Sequence, residues 1–338
     1  MSNKSEDQNF DANIVGTDTG MYDSNSLKTQ KILIVMLWDC TMNLNENVYI
    51  QKKYIYEPIN KGSGCVKTAV EYYGITLTIV QNYEDAIKEL TKQTKPEYCD
   101  YYATWVFCGP PFKILPDKQS DPNLVGQFNE VLIQYWKNGG SIVFWAAGHP
   151  LDYQANLFLE TVTFQNEQDC PSGKTSLRIG GIHQGGKFLN GEDSCTLEKP
   201  QSFNKSSSLF KYLQRSCIFH NIGKLFEGIS NSFAPYNLDE IKPFKPLIRD
   251  SEGGISSLFY PANLKNGTGD IIIDCFYSRI FQMESEGVFR YVQNIAGWTA
   301  RPEIHKAVDN TNPEDWRPEA VIFAIQNGVQ WNGFQEIP

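Results

Sequence analysis

The residues best placed to do chemistry surround one turn near the middle of the chain. In "SIVFWAAGHP" (141–150), a continuous apolar run from Ile142 to Ala147 meets Gly148, and a helix-like stretch follows from Pro150. Many α/β hydrolases and transferases carry a nucleophile on a sharp strand-to-helix turn of this kind. The tip of the turn, however, begins at Ala146, and a methyl group has no lone pair with which to attack. The turn therefore indicates an enzyme-like framework, and we expect no catalytic residue at its tip.

Further side chains could serve a site at the ends of the predicted strands. Cys108 closes the run "WVFCG" and is either a displaced nucleophile or a buried core thiol. His149 has no obvious partner in the sequence, so it is a candidate for a ligand hydrogen bond or for a structural role. Asp39 follows the first strand, where a carboxylate can bind a metal ion or a ribose, or can cap a loop. Ligands bind at the carboxyl ends of strands in open α/β sheets, and a crevice there would be lined by Asp39, Gly109, Ala146 and His149.

Two other patterns are compatible with a bound ion. "GSGC" (62–65), which includes Gly64, places backbone N–H groups at a predicted helix start; this suits an anion, or a helix cap that needs a flexible backbone. It is not a P-loop, and it does not directly follow a strand as the dinucleotide fingerprint requires. Four acidic residues could bind a cation in principle: Asp250, Glu252, Asp270 and Asp274. The first two lie in a segment that is typical of a turn between strands. We expect neither a cofactor nor a metal ion.

Strand and helix patterns alternate from Lys31 onward. Continuous apolar runs predict buried strands, and amphipathic stretches that end at Gly or Pro predict helices. The predicted strands are 31–38, 75–80, 101–109 and 141–146, and the predicted helices are 62–74, 83–96, 123–140 and 150–160. This order predicts parallel strands with helices on both faces. The expected fold is therefore α/β, with a doubly wound, mostly parallel, flavodoxin-like sheet.

The second half of the chain adds an insertion and two closing elements to this domain. Residues 165–208 are polar and rich in Gly, Ser and Lys, which predicts an insertion loop with a hairpin around 176–189. "GTGDIIIDC" predicts a strand, and "GVFRYVQNIAGWTA" predicts an amphipathic closing helix. The α/β domain then spans 31–300, between a polar N-terminal arm (1–30) and a C-terminal arm (301–338). The second arm is rich in proline, and its apolar anchors are Trp316 and Trp331.

Composition excludes several classes of partner. The 338 residues include 30 basic and 39 acidic side chains, with no run of Lys or Arg, so we expect binding neither to nucleic acid nor to an anionic membrane surface. No stretch is long and apolar enough for a membrane span, and the first 30 residues lack the apolar core of a secretory signal. The eight cysteines form no CxxC pair. They are typical of reduced thiols in a cytosolic protein.

Several of these motifs together resemble a class I glutamine amidotransferase-like domain, in its trehalose-utilisation-like branch. They are the first strand with its Gly-rich helix, the Gly109–Pro110 turn, the "GGSIVFWAAG" turn, and "GTGDIIIDC" followed by a helix carrying Asn294 and Trp298. The resemblance implies that a Cys would stand at position 146, activated by a His that a Glu two residues on orients. Here the residue is Ala146, and the four histidines read "HPL", "HQG", "HNI" and "HKA", so the His-x-Glu pair is also missing. The Gly-Pro turn resembles the oxyanion-binding turn.

These features predict a catalytically silent domain that acts as a structural or adaptor component of a larger intracellular assembly. Its protein partners would bind the two arms, and a cytoskeletal or ciliary assembly is the setting we expect for a cytoplasmic protein of this kind. One alternative is a small-molecule or sugar-binding domain that uses the crevice. Another is a hydrolase that acts through Asp39 or Cys108.

Overall fold

The computed structural model describes residues 31–37, 66–71, 75–92, 101–109, 122–163, 177–185, 196–197, 218–219, 222, 224–234, 244–260, 268–282 and 287–299. The strands in these ranges are β1 (Lys31–Met36), β2 (Thr76–Val80), β3 (Ala103–Phe107), β4 (Ser141–Trp145), β5 (Arg178–Ile179), β6 (Thr196–Leu197), β7 (Phe233–Ala234), β8 (Lys245–Arg249), β9 (Ile255–Tyr260) and β10 (Ile271–Asp274). The helices are α1 (Val66–Glu71), α2 (Tyr83–Thr91), α3 (Pro122–Lys137), α4 (Tyr153–Thr163) and α5 (Val288–Thr299), with a 3₁₀ helix at Tyr277–Gln282.

Eight of the strands form one mixed sheet in the order β2-β1-β3-β4-β10-β9-β8-β6. Neighbouring strands are parallel from β2 to β10, and they are antiparallel from β10 to β6. β10 is therefore the strand at which the parallel and antiparallel parts meet. The prediction of an α/β fold with a mostly parallel sheet is confirmed.

The strands read as continuous apolar runs because both faces of the sheet are covered. Successive side chains of a strand point to opposite faces. In β1, Ile32 and Ile34 belong to one core, and Leu33 and Val35 belong to the other. Helices α1 and α5 contribute to the first core, whereas α2, α3 and α4 contribute to the second. Burial on both faces removes the polar–apolar alternation of a strand that is solvated on one side.

Local signals set the ends of two helices. Asn82 caps the start of α2, where its Oδ1 accepts a hydrogen bond from the Asp85 N–H at 2.7 Å. Helix α3 ends just before Gly139, whose φ of +93° is a conformation that favours glycine. The Gly139 N–H donates to the Trp136 carbonyl at 3.0 Å, which satisfies one of the last carbonyls of the helix. The predicted stop at this glycine pair is confirmed.

The predicted closing helix is present as α5 and is buried on nearly all sides. Asn294 donates through Nδ2 to the Ile218 carbonyl at 2.9 Å, and the Trp298 ring lies in the core beside α1. At the last residue of the helix, Thr299 Oγ1 is 3.5 Å from the Trp105 indole nitrogen, which donates to it. The polar side chains of Asn294 and Thr299 thus find hydrogen-bond partners inside the protein.

The antiparallel part of the sheet differs from the sequence-based expectation in one respect. β8 and β9 form a hairpin through the predicted turn, in which the Asp250 N–H donates to the Gly254 carbonyl at 2.8 Å. The hairpin predicted around 176–189 lies partly outside the described residues, and its described part, β5, pairs with β7. β6, inside the predicted insertion, pairs with β8 at the edge of the main sheet. Two-residue strands carry no periodicity from which such long-range pairing can be predicted.

Within the described ranges, no helix combines the length and the apolar character needed to cross a lipid bilayer.

Two glycines allow α3 to approach the strand that follows far later in the chain. The Trp136 indole donates to the Gly269 carbonyl at 2.8 Å, and the Gly269 N–H donates back to the Trp136 carbonyl at 3.0 Å. A Cβ on Gly269 would lie 2.2 Å from the Gly140 carbonyl oxygen, which belongs to the backbone and cannot rotate away. The contact between α3 and the start of β10 therefore needs glycine at position 269.

We expect Gly269→Ala to lower the free energy of unfolding by about 1–3 kcal/mol, because overpacking must push two backbone segments apart. Gly126→Ala is the matched control: Gly126 lies inside α3, and a methyl group there would have nothing within 4 Å of it. That control should raise the free energy of unfolding by about 0.5–1 kcal/mol, since alanine is the better helix former. Urea denaturation of both variants measures the two values, and equal effects would contradict the packing account.

Candidate functional site

The turn after β4 is built as the sequence predicts, and its tip is closed. Ala146 is fully buried, and its N–H donates to the Asp274 carbonyl at 2.8 Å, continuing the β4–β10 ladder by one residue. The Leu151 N–H donates to the Gly148 carbonyl at 3.0 Å, which closes the turn. The Ala147 N–H donates to the Leu151 carbonyl at 3.2 Å. The N–H groups of Ala146 and Ala147 are therefore engaged within the protein.

A neighbouring segment covers the glycine of the turn. A Cβ on Gly148 would lie 2.3 Å from Asn231 Oδ1, so the two residues are in close contact. Asn231 in turn donates through Nδ2 to the Gly181 carbonyl at 3.0 Å. The segment that includes β7 thus joins the turn after β4 to the segment that includes β5. Asn231 occupies the space beside Gly148.

The N–H of Gly109 also has an internal partner. It donates to Gln154 Oε1 at 3.1 Å, and both residues are buried. Gln154 Nε2 donates to the Tyr83 hydroxyl, and burial raises the pKa of this phenol, so it stays protonated. A side-chain carboxamide from α4 therefore fills the position in front of the N–H that resembles an oxyanion donor.

Cys108 lies in the core and not in a reactive setting. Its side chain is buried, and its Sγ is 4.0 Å from the Val106 carbonyl oxygen. Burial raises the pKa of the Cys108 thiol well above its ordinary value, and Asp152 adds to the increase. The thiolate is the nucleophilic form of cysteine, so this environment disfavours attack by Cys108.

Among the described residues of the proposed crevice, His149 alone faces solvent, with 82% of its side chain exposed. Its Nδ1 lies 3.4 Å from Asp152 Oδ1, a neighbour that the sequence-based expectation did not include. Asp152 Oδ2 accepts a hydrogen bond from Asn156 Nδ2 at 3.0 Å, which holds the carboxylate in place. Asp152 Oδ1 accepts no hydrogen bond from the described residues, so the two groups are close without a bond that would orient the imidazole. The spacing His149-x-x-Asp152 could have indicated this pair.

The remaining predicted site residues lie outside the described residues. These are Asp39 and Gly64 of the proposed crevice, Trp316 and Trp331 of the proposed partner-binding arm, and both arms themselves (1–30 and 301–338). The structure thus describes Gly109, Ala146 and His149. It shows the first two buried with their N–H groups engaged, and the third exposed.

A buried charged group lies beside the turn, at the carboxyl end of β10. Asp274 and Arg279 are both fully buried, and Arg279 Nη2 is 3.5 Å from Asp274 Oδ1. Asp274 also accepts hydrogen bonds from the Phe276 N–H at 2.9 Å and from the Tyr291 hydroxyl at 3.0 Å. The guanidinium carbon lies 5.7 Å from the centre of the Phe276 ring and 5.8 Å from that of the Tyr291 ring. One carboxylate thereby connects β10, the 3₁₀ helix and α5.

Burial is the largest influence on the pKa values of the titratable side chains around Asp274. It raises the pKa of the Asp274 carboxyl, whereas Arg279 and the two hydrogen bonds act in the opposite direction. Burial also raises the pKa values of Cys275 and Tyr291, and the charge of Asp274 adds to both increases. Neither the thiol of Cys275 nor the phenol of Tyr291 is therefore available as an anion near neutral pH.

The acidic residues considered as a cation site do not come together. Asp270 and Asp274 lie at opposite ends of β10, and Asp250 uses Oδ1 to accept hydrogen bonds from the N–H groups of Glu252 and Gly254 in the β8–β9 turn. In the described part of the chain, no group of three or more His, Cys, Asp or Glu residues could hold a metal ion.

Several residues that fill this region carry no signal in the sequence. Gln154 and Asn231 carry no motif, and Arg279 lies in a segment without clear periodicity. Glu227 is fully buried and accepts a hydrogen bond from the Ser251 N–H at 2.6 Å, yet it sits in a stretch that reads as an ordinary loop. Their roles depend on partners that are distant in sequence.

Known proteins show little similarity to this chain. No family model matches the chain, and no curated protein matches it. Among solved structures, a chain described as "mmIFT52 N-terminal domain" is 12% identical; the match covers 80% of this chain and 97% of that chain, with a TM-score of 0.42. A likeness of this size leaves the function to be argued from the residues themselves.

We expect Arg279→Met to lower the free energy of unfolding by about 3–5 kcal/mol, because it leaves the Asp274 carboxylate buried without its cation. The double variant that combines Arg279→Met with Asp274→Asn should recover much of the lost free energy of unfolding, since asparagine keeps an acceptor for the Phe276 N–H and carries no charge. Arg178→Met, at an exposed arginine, should change stability by less than about 0.5 kcal/mol. Urea denaturation measures all three, and a cost below about 1 kcal/mol for Arg279→Met would show that the pair is not essential to the fold.

Proposed function

We propose that this chain is a catalytically silent domain of the class I glutamine amidotransferase-like kind, and that it acts as a structural or adaptor component of a larger protein assembly. The observation that carries the proposal is the buried alanine at the tip of the turn after β4. Ala146 offers no attacking atom, and its N–H is committed to the β4–β10 ladder. A thiol-dependent hydrolysis needs both a nucleophile and free oxyanion donors at this place.

The surroundings of Ala146 support the same proposal. The Gly109 N–H, the second candidate oxyanion donor, is occupied by the Gln154 carboxamide. The nearby thiol of Cys108 is buried and its pKa is raised. Each part that catalysis would use is thus engaged inside the protein.

The strand order supports the fold-family part of the proposal. The parallel strands follow the order β2-β1-β3-β4-β10, with β10 as the fifth strand. Flavodoxin-like domains have the order 2-1-3-4-5. We infer that residues 31–300 form such a domain, extended at one edge by antiparallel strands.

The adaptor role places protein partners on the two arms, 1–30 and 301–338, with Trp316 and Trp331 as anchors. Tryptophan is enriched at the centres of protein interfaces. The cytoplasmic, cytoskeletal or ciliary setting stays a prediction from the sequence.

Removal of both arms tests this role. We expect the full chain to elute from a size-exclusion column of cell extract within a large complex, and the 31–300 fragment to elute as a free domain. Single deletions show which arm binds, and Trp316→Ala with Trp331→Ala tests the anchors. If the 31–300 fragment stays in the complex as well as the full chain does, the arms are not the binding elements and the proposal fails.

A second candidate function rests on the His149–Asp152 pair. An exposed imidazole with a carboxylate oxygen 3.4 Å from its Nδ1 could bind a polar ligand or act as a general base, which favours the alternative of a small-molecule or sugar-binding site beside the turn. Gly109 and Ala146 would not contribute to such a site, because both are buried.

A thermal-shift panel of sugars, nucleotides and amino acids distinguishes the two functions. A ligand of the native state raises the melting temperature, and a ligand present at about 100 times its Kd stabilises by about 2.7 kcal/mol. If this second function holds, one ligand raises the melting temperature of the wild type, and His149→Gln abolishes that rise. Lys88→Gln, a change on the exposed surface of α2, is the control and should leave the rise unchanged. No response to the whole panel would remove the second candidate.

A further inference from the structure

The two edges of the main sheet are built differently. At one edge lies β6, which has only two residues and pairs with β8. β8 carries a proline, Pro246, and register shifts at two places along its pairing with β9. Short strands, proline and bulges are the devices by which natural sheets prevent unwanted pairing at an edge.

The other edge, β2, has none of these devices. Its sequence, "TLTIV", contains no charge and no proline, and its register with β1 is unbroken over all five residues. Among the strands that the structure describes, β1 alone pairs with β2. In a parallel pair, alternate residues of an edge strand direct their N–H and C=O groups away from the neighbour, so β2 presents backbone donors and acceptors along its outer side. Such an edge is a template for another strand.

The side chains of β2 are also self-complementary. A second copy of β2 that runs antiparallel about a twofold axis at Thr78 would place Thr78 opposite its own counterpart. Leu77 would then face Ile79, and Thr76 would face Val80, on matching faces of the joined sheet. Leu77 and Ile79 are partly buried and pack against the core beneath α1 and α5, so their pairing would continue that apolar layer across the axis. Threonine pairs that face each other across antiparallel strands stabilise them.

We propose that β2 is a homodimerisation edge, at which two copies of this chain join their sheets antiparallel about Thr78. An isologous contact of this kind requires a surface that is complementary to itself, and β2 meets that requirement in its backbone, its charge and its side-chain pattern. The proposal does not depend on the proposed adaptor function, because it uses neither the arms nor the turn after β4.

Each copy carries a net charge of −9, so two copies repel at long range. Salt screens that repulsion over about 10 Å at 0.1 M, whereas the strand pairing itself is uncharged. The dimer should therefore be tighter in 0.5 M than in 0.05 M sodium chloride.

Sedimentation velocity of the full chain at several concentrations tests the proposal. We expect a reversible monomer–dimer equilibrium in the wild type. Thr78→Lys places two ammonium groups opposite each other on the axis and should raise the dimer dissociation constant by about tenfold or more. Thr91→Lys, the same change on the exposed end of the neighbouring helix α2, should leave it unchanged. Circular dichroism confirms that each variant is folded.

Cysteine cross-linking tests the register. Residues directly opposite in antiparallel strands have Cα atoms about 4.5–5.5 Å apart, which fits a disulfide. Thr78→Cys should therefore give a covalent dimer on mild oxidation, with the linking peptide identified by mass spectrometry. Thr76→Cys should not, although Thr76 is the more exposed residue, because its counterpart would lie about 13 Å away along the strand.

Three results would overturn the proposal. One is a chain that is monomeric at every concentration and salt. Another is a dimer that Thr78→Lys does not weaken, which would place the contact elsewhere on the surface. The third is cross-linking of Thr76→Cys as readily as Thr78→Cys, which would contradict the register.

Discussion

The buried pair of Asp274 and Arg279 is the interaction on which the rest of this structure depends. Asp274 is the last residue of β10, the strand at which the parallel and antiparallel parts of the sheet meet. Its carbonyl accepts from the turn after β4, while its carboxylate accepts from the Phe276 N–H and the Tyr291 hydroxyl. A charge in the interior is tolerated only with an opposite charge and hydrogen bonds around it. The 3₁₀ helix, α5 and the turn are therefore held in place by the partners that the buried Asp274 needs.

The turn after β4 is closed by backbone and side-chain contacts at the same end of the sheet. The N–H of Ala146 continues the β4–β10 ladder, so the tip is held where Asp274 ends the strand. Asn231 then packs on Gly148, and Gln154 takes the N–H of Gly109. The hydrogen bonds to the N–H groups of Ala146 and Gly109 satisfy donors that a ligand would otherwise have to meet. Side chains and backbone groups of the protein itself therefore fill this end of the sheet.

Much of the fold could be predicted from the sequence, because burial on both faces leaves a strong local signal. The runs "KILIVM", "ATWVF", "SIVFW" and "IIID" are recognisable as strands without any knowledge of their neighbours. The pairing of β5 with β7 could not be predicted in the same way, since two-residue strands show no period and their register is set by distant contacts. The same limit applies to the candidate site. The alanine tip can be read from the sequence and the His149–Asp152 pair from its spacing, but Gln154 and Arg279 acquire their roles only through the tertiary fold.

The position of β10 between β4 and β9 has a consequence for synthesis on the ribosome. β1, β2, β3 and β4 are made in the first half of the chain and can pair as each emerges, yet β4 must wait for a partner that is translated far later. Until then, an uncharged strand rich in aromatic and branched residues shows one open side to solvent. Nascent chains in this state attract chaperones or pair with each other on crowded polysomes. The cell's ability to shield that one strand during elongation should therefore limit the yield of native protein more strongly than the stability of the finished fold does.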